Sequence, residues 1–154
     1  VGSYFADAIT DAQSKLVSRG RSSARNVIIF LSDGDAGANS TYVGSAKYNN
    51  QCTQAVTAAR AAAAATSPND SWVYSIAYGT SSTGGCSTDT GASAISACTT
   101  MRSIASSKDI NNDAQKFYSN STTSCPSSAH PSITSLSQIF TSIARDLQNT
   151  RIVE

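Results

Sequence analysis

The stretch Asn26-Val27-Ile28-Ile29-Phe30-Leu31-Ser32-Asp33-Gly34-Asp35 decides how the chain reads. Val27 to Leu31 is an unbroken apolar run, rich in β-branched residues and closed abruptly by a polar turn. A strand apolar at every position is one covered on both faces, and such strands belong to parallel sheets packed between helices. The turn Ser32-Asp33-Gly34-Asp35 then marks the carboxyl end of a strand, where open parallel α/β sheets bind ligands.

Working outward toward the amino terminus, Phe5, Ile9, Ala12 and Leu16 share one face of a helix predicted over 3–17. Ser3 is its expected cap, Asp7 suits its dipole and Gly20 ends it. On the other side a loop of small residues, 36–50, leads to a helix over 51–65 with Cys52, Ala55, Val56 and Ala59 inward. Trp72 to Tyr78 is a second strand, stopped by Gly79. A Ser/Thr/Gly-rich insertion follows at about 80–98, then a short helix over 99–106 burying Met101, Ile104 and Ala105. Phe117-Tyr118 reads as a brief edge strand, and 119–131 as a second Ser/Thr-rich insertion. The clearest element is a closing helix over 132–148, with Ile133, Leu136, Ile139, Phe140, Ile143 and Leu147 in one stripe. Residues 151–153 form a terminal strand or tail.

This alternation predicts an α/β fold, a Rossmann-like open and mostly parallel sheet with helices on both faces. The 154 residues allow a single domain. Two strong strands and one weak one are few for four helices, and Val27–Leu31 reads as an interior strand short of neighbours. Residues 1–154 are therefore expected to be the C-terminal part of one larger domain.

Composition narrows the function. Net charge is +1, with 11 basic and 10 acidic side chains, which excludes electrostatic nucleic-acid binding. The apolar runs are far shorter than the ~20 residues that span a bilayer. Cys52, Cys86, Cys98 and Cys125 include no pair at CxxC spacing, which excludes a thioredoxin-type centre and argues against zinc. Their even number and polar surroundings point to two disulfides in an oxidising, extracellular setting. Three pairings are open, and Cys86–Cys98 with Cys52–Cys125 is favoured because the first closes a short loop.

With these blocks in view, NVIIFLSDGD (Asn26 to Asp35) resembles the von Willebrand factor A domain, in which a buried strand ends in a Thr/Ser-Asp-Gly turn. GSYFADAITDAQSKL (Gly2 to Leu16) is similar to that family's Gly-Thr loop and following helix, and VYSIAYG (Val73 to Gly79) to its next strand. FYSN (Phe117 to Asn120) and SLSQIFTSIARDL (Ser135 to Leu147) resemble its last strand and closing helix. The cysteine-bearing insertion, the FYS block and the ending more narrowly resemble TadG-like proteins of bacterial Tad/Flp pilus assembly.

The resemblance implies a non-catalytic, secreted or surface-exposed adhesion or assembly domain that binds a protein ligand or pilus component through a metal-dependent site. It implies Mg²⁺ (Ca²⁺ or Mn²⁺ as alternatives), with Asp33 in the place of the turn Asp and Ser3 in that of the Thr. The family's Asp-x-Ser-x-Ser loop does not occur in these residues, nor do its first three strands. The metal site thus depends on an N-terminal half supplied from elsewhere. Asp35 is expected to reach a metal only through water, or to be solvated. Without a metal, Asp33 would cap its own turn.

Other classes are weaker. A passive subunit of an extracellular filament fits the Ser/Thr-rich loops equally well. A Mg²⁺-dependent phosphatase of haloacid-dehalogenase type would use Asp33 as nucleophile and Asp35 as acid. Against it, Ala36 stands where Thr or Val is expected, and no acidic pair follows Trp72–Tyr78. His130 reads as a surface loop residue, and no GxSxG, GxGxxG or Walker loop occurs. Trp72, Tyr74 and Tyr78 read as core rather than as a carbohydrate platform.

Overall fold

The computed structural model describes residues 2–21, 23–82, 86–91 and 94–149. Its elements in chain order are α1 (Phe5–Arg19), β1 (Asn26–Ser32), the single-turn helices α2 (Ser40–Val43) and α3 (Ser45–Tyr48), and α4 (Gln51–Ala64). Then follow β2 (Ser71–Ala77), α5 (Ala97–Ile104), a 3₁₀ segment (Ile110–Lys116), β3 (Phe117–Ser119) and α6 (Leu136–Asn149). The strands form a three-stranded sheet in the order β1-β2-β3, and both pairings are parallel. The α/β class and the parallel sheet thus follow the sequence reading. The tail at 151–153 lies outside the described residues.

Side-chain alternation splits the sheet into two faces. Ile28, Val73, Ala77 and Phe117 join Phe5 and Ile9 of α1, the alanines of α4, and Met101 and Ile104 of α5 in the larger core. Phe5 meets Phe30 edge-on at 5.0 Å. On the opposite face Tyr74, Ile76 and Tyr118 pack against Ile139 and Ile143 of α6. The alanines Ala55, Ala59, Ala62 and Ala63 let α4 approach the sheet closely, as their inward pattern suggested, though Val56 is only partly buried.

Several expectations need correction. Ser3 does not cap α1; Tyr4 holds the N-cap position and contributes no side-chain hydrogen bond. Gly20 ends α1 in extended backbone (φ −65°), and a Cβ there would lie 2.3 Å from the Leu16 carbonyl oxygen. The closing helix starts at Leu136, and Phe140, assigned to its buried stripe, is 45% exposed. Tyr74 is core, but Trp72 is half-buried and Tyr78, beyond the end of β2, is exposed. Strand β1 is not covered on both faces. It is the border strand of the sheet, with Ile29 41% and Leu31 44% exposed on the α6 side.

The disulfides also differ from the favoured pairing. Cys52 joins Cys86 and Cys98 joins Cys125, so all four cysteines are paired as expected but with exchanged partners. Cys52 opens α4 directly beneath the turn after β1, and Cys86 enters at the same place. Cys98 lies in the first turn of α5, facing the loop after β3. Each insertion is therefore stapled to a neighbouring element rather than closed on itself.

Candidate functional site

The turn after β1 sits at the carboxyl edge of the sheet, as the fold class requires of a ligand site. Gly34 takes φ +96°, and a Cβ there would stand 2.6 Å from the Ala97 carbonyl oxygen and 2.9 Å from Met101 Cγ. Only glycine combines that backbone with so close an approach to α5. The neighbouring carboxylates are thereby turned outward, and Asp33 and Asp35 are both exposed.

Asp33 Oδ1 accepts from the Ser32 hydroxyl at 3.3 Å and from the Asp35 amide at 3.4 Å, an Asx-type arrangement within the turn. Asp35 Oδ1 accepts from the amide and the hydroxyl of Ser87 at 3.0 and 3.1 Å, tying the first insertion to the turn. Gly2 lies against the backbone of the same loop, since a Cβ on it would collide with the Gly37 carbonyl oxygen at 1.8 Å. The segment carrying Ser3 therefore runs alongside the loop that follows Asp33. No hydrogen bond joins Ser3 to Asp33.

Beneath this rim lies a buried polar clamp that the sequence did not announce. Asp89 accepts from the Cys52 and Thr53 amides at 3.0 and 3.1 Å and from the Thr53 hydroxyl at 2.8 Å, capping α4 from 36 or 37 residues away. The Gln51 side chain pairs with both backbone groups of Ala38, and Thr88 donates to the Ala36 carbonyl. Helix α4 has no cap of its own, because its N-cap residue, Asn50, adopts φ 58° and makes no side-chain bond. An acid distant in sequence fills the role, and no local spacing could reveal it.

Asp35, Cys52 and Cys86 bring ligand-type atoms within 4.8 Å of one another. The two sulfurs are bonded to each other, so no thiolate is available there for a metal. An all-oxygen set at Asp33 and Ser3 suits a hard cation such as Mg²⁺, which keeps several waters. One carboxylate and one hydroxyl are too few to hold it alone.

His130, read as a surface loop residue, is a partly exposed loop residue whose ring stacks on Tyr118 at 4.1 Å with its Nε2 2.9 Å from the Gln115 carbonyl oxygen. It stands on the α6 side and takes no part in the rim. Comparison with protein-family models, curated proteins and solved structures finds no match for this chain.

Proposed function

We propose that this chain is part of a non-catalytic adhesion or assembly domain of von Willebrand A type, working outside the cell. In this reading β1 is an interior strand of a wider sheet. The observation that carries the reading is the state of β1. It is apolar along its length and uncharged, pairs only with β2 among the described residues, and exposes Ile29 and Leu31. A long, flat, apolar edge with no charge or proline to guard it is a liability for a free-standing sheet. A strand-and-helix unit added beside β1 would pair its edge and cover those side chains together.

The same addition would bring further oxygen ligands toward Asp33 and Ser3, which would then hold Mg²⁺ for a partner's carboxylate. Two buried disulfides suit an oxidising compartment. No helix among the described residues is long and apolar enough to cross a membrane. A second reading, the passive filament subunit, draws on the rim chemistry. The Asp33 carboxylate is engaged by donors of its own turn and that of Asp35 by Ser87, as expected if they serve only to hold the turn and the first insertion.

Two measurements test the proposal. In a polypeptide extended ahead of Val1 by the strand-and-helix unit this reading calls for, the outward amides of β1 should become strongly protected from hydrogen exchange; unchanged exchange would refute the wider sheet. Calorimetric titration of Mg²⁺ into that polypeptide should give heat that Asp33→Ala abolishes. Equal heats from both proteins would leave the filament reading in its place.

A further inference from the structure

A concavity of about 420 Å³ opens at the far end of the sheet from Asp33, between α6 and the 3₁₀ segment. Its volume is in the range of small-molecule sites. Trp72, at its floor, lies five residues of β2 before Ala77, roughly 16 Å from the rim at strand spacing. Lys116 lines it too and is only 4% exposed.

The donors and acceptors in this groove are unequally committed. Of its two acids, Asp109 accepts from the Asn111 amide and from the side chains of Asn111 and Asn112. Asp146 accepts from the Lys116 ammonium at 2.8 Å and from the Tyr74 hydroxyl. Arg145, by contrast, lines the groove and has no ion pair or hydrogen bond among the described residues. Among the described residues the Gln115 side-chain amide has no partner on its N–H groups or its oxygen, and the ammonium of Lys116, which also lies over the Trp72 and Tyr74 rings, has one carboxylate oxygen for its three N–H groups. The largest set of uncommitted groups is therefore the five N–H donors of Arg145. Lys116 and Arg145 equal Asp109 and Asp146 in number, and with Lys116 held by Asp146 the Arg145 guanidinium is the cation in the groove that no acid holds among the described residues.

We propose that this groove is a binding site for a hydroxy-carboxylate of about monosaccharide size, its carboxylate on Arg145 and its hydroxyls on Lys116 and the Gln115 amide. A guanidinium fork matches a carboxylate in geometry and charge. The site is separate from the Asp33 rim and stands whether or not a metal binds there.

Glucuronate serves as the probe, titrated into the 1–154 chain and followed by NMR. Saturable shifts at Lys116, Gln115 and Arg145 are expected, with half-saturation near ~1 mM for a ligand of this size. Arg145→Ala removes an exposed side chain without a partner, leaves the fold intact, and should weaken binding about tenfold or more, as should replacing glucuronate by glucose. Asp33→Ala should leave glucuronate binding unchanged, which separates this site from the rim. No saturation by ~20 mM, far above that half-saturation, would overturn the assignment. So would equal binding by Arg145→Ala, equal binding of glucose, or tighter binding of inorganic phosphate.

Discussion

Lys116 is a cation almost wholly removed from water, held by one carboxylate and by the faces of Trp72 and Tyr74 at 4.2 and 5.1 Å. Burial alone would raise the Asp146 carboxyl, but the Lys116 ammonium and the Tyr74 hydroxyl together hold it below the ordinary range. A carboxyl depressed in the fold stabilises it at pH values above its unfolded pKa, near 4, and that stability is lost as pH falls through the folded value. Lys116→Met should lower stability by about 1–3 kcal/mol in urea unfolding at neutral pH. It should also flatten the decline of stability below pH ~4. None of this was legible at Lys116 itself, which stands in a polar stretch before a three-residue strand and meets its partner 30 residues later. Asp33, by contrast, was found directly, because a strand-ending turn announces its own position.

Individual elements were legible where they carry their own period. The apolar run of β1, the stripe of α6 and the Trp72–Tyr78 strand all appear within a residue or a few of their predicted limits. What failed was anything fixed by a distant partner. Pairing Cys86 with Cys98 assumed that the shortest loop closes, whereas packing of α4 beneath the turn sets Cys52 beside Cys86. Peptide mapping without reductant should recover the Cys52–Cys86 and Cys98–Cys125 links, spanning 34 and 27 residues. Removing the second with Cys98→Ser and Cys125→Ser should cost about 3–4 kcal/mol on the loop-entropy account. The start of α4 depends in the same way on Asp89. Asp89→Ala leaves the Cys52 and Thr53 amides without their acceptor, and should lower stability by about 1–2 kcal/mol, read from the urea midpoint.

Across the whole molecule, the sheet order places β2 in the middle and β1 at the border, the reverse of what an all-apolar run suggests. The sequence reading detected the mismatch, too few strands for so apolar a segment, but could not tell which edge would be left open. The Ser32 carbonyl accepts from the Tyr78 amide at 2.9 Å, so even-numbered residues of β1 face β2. The amides of Val27, Ile29 and Leu31 then point to the open side. In the 1–154 chain these three should exchange hydrogen much faster than those of Ile28 and Phe30, an alternation measurable residue by residue. Uniform protection along the strand would show that something already covers that side.

Trp72 is the single tryptophan of the chain, and it lies beneath Lys116 at 4.2 Å and Arg25 at 5.1 Å. The field of two cations beside an indole shifts the colour of its emission. The molecule thus carries an optical gauge of its own at the floor of the α6 groove, readable without any attached dye. Lys116→Met or Arg25→Met should each displace that colour while leaving the far-ultraviolet circular dichroism of the fold unchanged.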